Sequence, residues 1–284
     1  MRLRQKWILT FSIVFSSIFA GKQIFAQTYE QSLQYANEQY QLKNYDNALK
    51  TYKRLLFFSK NEDRYPLYEK IGELSLNVKD FYIASTFYNL AYKNASNAEK
   101  KAILLLKKSY SEMMVGDFLY ATMDLLNIKT EDEYLQKQIN FYLGTCYFGL
   151  EKFDKAETYF LKCVDIKEKE TIKKLFKSKK LYRPNPKTAK ILSMIIPGAG
   201  QFYIGDFKEG AKSLLLSASM VAMMVITAIN IDFLTGSIAI IPWFQRYYTG
   251  GFQKAKSLAI IKRQKNRSKI YNQIVKIVEK NANN

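Results

Sequence analysis

Four alanines, Ala48, Ala84, Ala121 and Ala156, stand 36, 37 and 35 residues apart. An aromatic lies three residues before each (Tyr45, Phe81, Phe118, Phe153), and a large residue lies four after (Tyr52, Tyr88, Leu125, Phe160). Twelve residues before each alanine comes a small one: Ala36, Gly72, Ser109 and Gly144. Offsets of four and twelve fall on helical faces. Small residues let two antiparallel helices approach closely, and the large ones fill the space between neighbouring pairs. A unit of this length must stack on copies of itself to bury its apolar face. The pattern therefore predicts an all-α array of about four helix pairs over residues 27–166.

The matching segments are YANEQYQLKNYDNALKTYKRL, KIGELSLNVKDFYIASTFYNLA, KSYSEMMVGDFLYATMDLLNI and YLGTCYFGLEKFDKAETYFLKC. Together they resemble the tetratricopeptide repeat family; the third departs from it, with Leu125 for the usual aromatic and Ser109 for Gly or Ala. The resemblance implies a superhelix with a concave groove, and members of the family mostly act as protein-binding scaffolds. Its register implies groove-facing positions Asn37, Tyr40, Glu69, Glu73, Leu76, Tyr110, Met113 and Phe148. Glu69 and Glu73, one turn apart, would make part of that face acidic.

From Ser213 to Ile231 there is no charged residue over 19 positions. About 20 apolar helical residues cross a hydrocarbon core of ~30 Å, so a membrane domain is predicted over residues 191–253. Charge is segregated around it. Residues 167–190, a basic linker ending at Arg183-Pro184-Asn185-Pro186, carry a net +8, and so do residues 254–284, a basic tail. Residues 28–166 carry −1. Basic clusters flanking an apolar stretch suit anionic lipid headgroups, and this segregation argues against nucleic acid as the partner.

The membrane domain opens with Pro197, Gly198, Gly200, Gln201, Tyr203 and Gly205, followed by Gly210. Its glycine spacing is neither Gly-x-Gly-x-x-Gly nor that of a phosphate-cradling loop. The stretch is similar to small bacterial two-span membrane domains sharing a Pro-Gly-x-Gly-Gln-x-Tyr-x-Gly motif, over roughly residues 188 to 250. The resemblance implies a helical membrane hairpin, with spans Ser213–Ile229 and Phe233–Tyr248. The second span has only 13 uncharged residues and contains Pro242. Crossing, re-entry and an interfacial position all stay open for it.

Residues 1–26 read as a signal peptide: Arg2, Arg4 and Lys6, an apolar run from Trp7 to Ala20, and Ala26 before the cleavage point. An uncleaved anchor is the alternative. Export places the repeats in the periplasm of a bacterial inner membrane, but a hairpin would then leave both basic flanks outside, against the positive-inside rule. An odd number of crossings relieves one flank; cytoplasmic repeats relieve both.

Histidine is absent, which removes imidazole bases, Ser-His and Cys-His pairs and the commonest metal ligand. No catalytic, cofactor or metal residue is expected, and no small-molecule substrate. Cys146 and Cys163 either pair across the fourth repeat or stay as buried thiols. The sequence thus reads as a membrane-anchored envelope scaffold for a protein partner. The alternative is a membrane-active accessory for transport or insertion, with the C-terminal domain as the working part.

Overall fold

The computed structural model describes residues 28–60, 64–230 and 233–282, and the signal expected over Met1–Ala26 lies outside them. Among the described residues the chain is all-α, with thirteen α-helices and one 3-10 turn. It divides into two compact units between Lys129 and Thr130.

The first unit holds α1 (Tyr29–Gln41), α2 (Tyr45–Phe58), α3 (Arg64–Asn77), α4 (Phe81–Asn94), α5 (Ala98–Val115) and α6 (Phe118–Asn127). They form three helix pairs, and the repeat code gives the reason. Gly72 on α3 lies against the ring of Tyr88 on α4, so that a Cβ on Gly72 would come within 2.9 Å of two ring carbons. Ala36, Ala48 and Tyr52 are buried in one core cluster; Ala84 and Tyr88 are buried in the next. Each pair turns through the same cap. Lys43, Lys79 and Gly116 adopt positive φ of 59°, 61° and 89°. The next residue, Asn44, Asp80 or Asp117, donates its N–H to Gln39, Ser75 or Glu112. This is a Schellman closure, which satisfies carbonyls left over at a helix C-terminus.

In the second unit, α7 (Glu133–Gly149) and α8 (Phe153–Phe160) repeat the pairing, with Gly144 against the Phe160 ring and Glu151 at φ 60°. There follow α9 (Ile166–Phe176), a 3-10 turn (Lys179–Leu181), α10 (Pro186–Ile195), α11 (Ala199–Tyr203), α12 (Phe207–Asn230) and α13 (Phe233–Ala282). Within the basic segment 167–190, α9 buries Ile172 and Phe176, and the Phe176 ring meets Phe148 and Phe160. The helix α13 runs without a break across residue 254. Its basic end carries a buried apolar stripe, in which Ile270, Ile274 and Val278 recur every four residues. Tyr271 packs between Phe148 and Phe160 and shares a hydrogen bond of 3.1 Å with Thr145. Cys146, buried, and Cys163, half-buried, are not joined in a disulfide.

Candidate functional site

The positions predicted to face a groove in the first unit carry a connected set of polar side chains. Tyr40 donates its hydroxyl to Glu73 Oε1, and Lys70 lies 3.1 Å from the other Glu73 oxygen and 3.5 Å above the Tyr40 ring. Tyr52 donates to Asn37 Oδ1 at 2.5 Å. On the neighbouring pair, Glu69 accepts from Tyr65 at 3.3 Å and meets Lys107 at 3.5 Å. Glu69 and Glu73 therefore do not form a bare acidic face: a lysine from the same helix and another from α5 neutralise them. The bond to Glu73, helped by burial, pushes the Tyr40 hydroxyl up to about 12. Burial opposes the Glu73 carboxylate, but Tyr40 and Lys70 outweigh it and hold its pKa below the usual range. Beside Asn37 lies a cavity of about 420 Å³ lined by Tyr29, Leu33, Tyr52 and Lys70.

The remaining predicted groove residues differ in setting. Leu76 packs into the core cluster around Tyr88, so it contributes packing rather than a contact surface. Met113 is half-buried, and Tyr110 is at the edge of exposure. Phe148, in the second unit, is covered by the chain itself through Phe153, Phe176 and Tyr271. Sequence reasoning passed over Lys70, Lys107 and a second cluster on α5 and α6. There Lys108 bridges Asp124 at 2.6 Å and Glu112 at 3.4 Å. Glu112 is buried, and burial, with the nearby Asp124 charge, pushes it up to about 7 against the pull of Lys108. Glu112 Oε2 is buried without a hydrogen-bond partner, while the Lys108 ammonium serves Asp124 Oδ2.

The Pro-Gly motif is a packing knot. Gly198 starts α11 at φ 93°, and a Cβ there would fall 2.4 Å from the Gly210 carbonyl oxygen on α12. A Cβ on Gly200 would lie 2.0 Å from the Ala189 carbonyl oxygen on α10, and one on Gly210 would meet the Phe202 ring at 2.6 Å. Buried Gln201 closes the arrangement. Its Oε1 accepts from Ser193 at 2.8 Å, and its Nε2 donates to the Gly251 carbonyl on α13 at 3.0 Å. Ser193 in turn accepts from Gly200 N–H at 2.9 Å. The Tyr203 hydroxyl accepts from Asn185 N–H at 3.2 Å, and Gly205 turns the chain at φ 79°. Both polar side-chain atoms of Gln201 are thus engaged within the protein.

Beyond the knot, α12 and the first part of α13 run antiparallel. Lys254 pairs with Glu209 at 2.5 Å, and Gly251 lies beside Ser213. At 1.5 Å per residue, the 24 residues of α12 extend about 36 Å. Among the described residues this is the one helix long and apolar enough to cross a membrane, and almost none of its apolar stretch is buried. Leu215, Met223, Ile226 and Ile229 stand exposed, as do Leu234, Ile238 and Trp243 on α13 and Ile195 and Ile196 at the end of α10. A core helix of a soluble protein would bury such residues; a contiguous apolar surface of this size marks contact with a partner or lipid.

Among the described residues no three Asp, Glu or Cys side chains converge as a metal would require. Compared with known protein families, curated proteins and solved structures, the chain has no match.

Proposed function

We propose that the protein is a membrane-anchored scaffold of the tetratricopeptide type in a bacterial envelope, whose first unit holds a segment of a protein partner. The observation that carries this reading is the polar row Asn37, Tyr40, Lys70, Glu73, Glu69 and Lys107. Its donors and acceptors are fixed by one another on rigid helices. Paired charges beside a cavity of about 420 Å³ suit recognition of a peptide backbone and its polar side chains. They leave no unpaired group poised as nucleophile or base.

The hairpin of α12 and α13 fixes the scaffold at the membrane. Antiparallel packing brings Arg246 level with Ser217, about one turn inside the Ser213 end of the apolar stretch, where a long cationic side chain can reach the headgroups. The second arm therefore can cross beside the first. The end of α13 packs on the α7–α8 pair, with Arg267 paired to Glu151 at 2.5 Å. Tail and fourth repeat then share one side of the membrane, which favours an even number of crossings. An export signal over residues 1–26 makes that side the periplasm. The engagement of Gln201 and Ser193 inside the knot gives these two side chains a structural part and lends no support to the accessory reading, in which the C-terminal domain assists transport or insertion.

The test is site-specific photo-crosslinking in cells. A crosslinker at Asn37 or Met113 should give the same discrete adduct, one at exposed Lys53 should not, and Glu73→Lys should abolish it. Equal adducts from all three positions, or none from the groove, would sink the scaffold reading.

A further inference from the structure

A cavity of about 350 Å³ opens where the 3-10 turn and the Arg183-Pro184 bend meet α11 and α13. Its charged lining is all of one sign: Lys179, Lys180, Arg183 and Lys262. No carboxylate lines it, and among the described residues none of these four has an acidic partner. Four cationic side chains around one cavity, with no carboxylate among them, give it a positive potential that favours the entry of an anion.

The neutral groups are arranged to the same end. Lys262 donates one hydrogen to the Ile204 carbonyl at 2.5 Å, which holds its ammonium at the cavity and leaves two further hydrogens. Asn266 donates to the Arg183 carbonyl at 3.1 Å and fixes the bend that carries the guanidinium. Tyr203 already accepts the Asn185 N–H, so its own hydroxyl hydrogen is available to a ligand oxygen. Guanidinium, ammonium and hydroxyl donors around one space match the several oxygens of a phosphate.

We infer that this cavity is a binding site for a phosphate group, carried by an anionic lipid headgroup or by a soluble phosphate. Both sources are compatible with its place. Ile204 precedes the apolar helix by three residues, while Lys262 lies eight residues, about 12 Å, along α13 from Lys254. Except for the lipid source, the inference is independent of the scaffold reading.

The experiment uses the full-length protein, in neutral detergent and in nanodiscs. Melting is followed with inorganic phosphate against chloride at matched ionic strength, and in phosphatidylglycerol against phosphatidylcholine nanodiscs. At least one phosphate arm should raise the melting temperature by about 3 °C or more. That rise should vanish in K179Q/R183Q, whose side chains make no hydrogen bond or ion pair among the described residues. It should survive in K269Q/K276Q, which removes equal charge from α13 outside the cavity. A response to inorganic phosphate supports the site with a soluble ligand; a response confined to phosphatidylglycerol supports it with a lipid. Absence of both responses, or equal loss in the two variants, overturns it. Failure of membrane anchoring would show separately, as release of the protein by alkaline carbonate.

Discussion

Gly72 lies under the Tyr88 ring with no room for a methyl group, its nearest ring carbons being 2.9 Å from where a Cβ would stand. Tyr88 is fully buried, so its ring cannot swing aside. Gly72→Ala gains about 1 kcal/mol of helix propensity, but overpacking costs roughly 1–3 kcal/mol. The expected net effect is a loss of about 1 kcal/mol in chemical denaturation. Gly72→Ser with Tyr88→Leu recreates the pair that the third repeat carries as Ser109 and Leu125, and should recover part of the loss. A single variant as stable as wild type would show that the helices can separate freely.

The turns make an independent prediction. Lys43, Lys79, Gly116 and Glu151 recur at 36, 37 and 35 residues, the spacing of the repeat alanines, and all four have positive φ. A residue with a Cβ costs roughly 1–2 kcal/mol there, and glycine does not. Lys79→Gly should therefore stabilise the protein by about 0.5–1 kcal/mol. Gly116→Ala, with nothing within 4 Å of the added Cβ, should destabilise it by about 1 kcal/mol through the backbone alone. Opposite signs in thermal melts are the expected outcome; a loss with Lys79→Gly would mean that the lysine side chain contributes more than its φ costs.

Glu112 gives the chain a pH response. Its folded pKa, pushed to about 7 chiefly by burial, lies above the ordinary 4.5, so the folded state holds this proton more tightly than the unfolded one. The stability it contributes is complete below about pH 4.5 and is lost as pH rises through 7. Glu73 and Glu151, whose pKa values are lowered, act in the opposite direction, but in a window below 4.5. Between pH 5.5 and 8, wild type should lose on the order of 1–2 kcal/mol relative to Glu112→Gln. Parallel pH profiles would mean that Lys108 compensates Glu112 fully.

How legible was all this in the sequence? The helix pairs were, because Gly72–Tyr88 and Gly144–Phe160 are local contacts, sixteen residues apart, written in residue size. The neutralisation of Glu69 and Glu73 was not: Lys107 reaches Glu69 from 38 positions away, and no local pattern encodes that pairing. The packing of the end of α13 was hidden for another reason. Ile270, Ile274 and Val278 have helical spacing, but they sit among lysines and arginines whose net charge dominates any composition-based reading. Gln201 stood out as a motif residue, yet nothing in the sequence says that Ser193 and Gly251 consume its side chain.

That consumption is testable. Gln201→Leu keeps the volume but takes away the acceptor of the buried Ser193 hydroxyl hydrogen and the side-chain donor to the Gly251 carbonyl inside α13. The unpaired Ser193 hydroxyl costs roughly 1–3 kcal/mol, so the variant should melt below wild type in detergent while Tyr203→Phe, which keeps the ring, should lose less. A Gln201→Leu protein of wild-type stability would free the glutamine for a role toward a ligand and revive the accessory reading.

The two basic flanks should lie on one and the same side of the membrane. Residues 167–190 and 254–284 each carry +8, and the positive-inside rule opposes their export. The second unit ties them together: Asp165 N–H donates to Asn281 at 3.1 Å, and Arg267 donates to the Leu181 carbonyl at 3.0 Å and to Glu151. Whatever side receives one flank must receive the other. Reporters active on only one side of the membrane, fused after Asp165 and after Asn284, should therefore agree. Agreement outside would mean that the N-terminal signal overrides 16 net positive charges. Agreement inside would make both flanks ordinary cytoplasmic anchors and sink the periplasmic placement. Disagreement would mean an odd number of crossings, and then Tyr271 could not reach Phe148 in the membrane-bound protein.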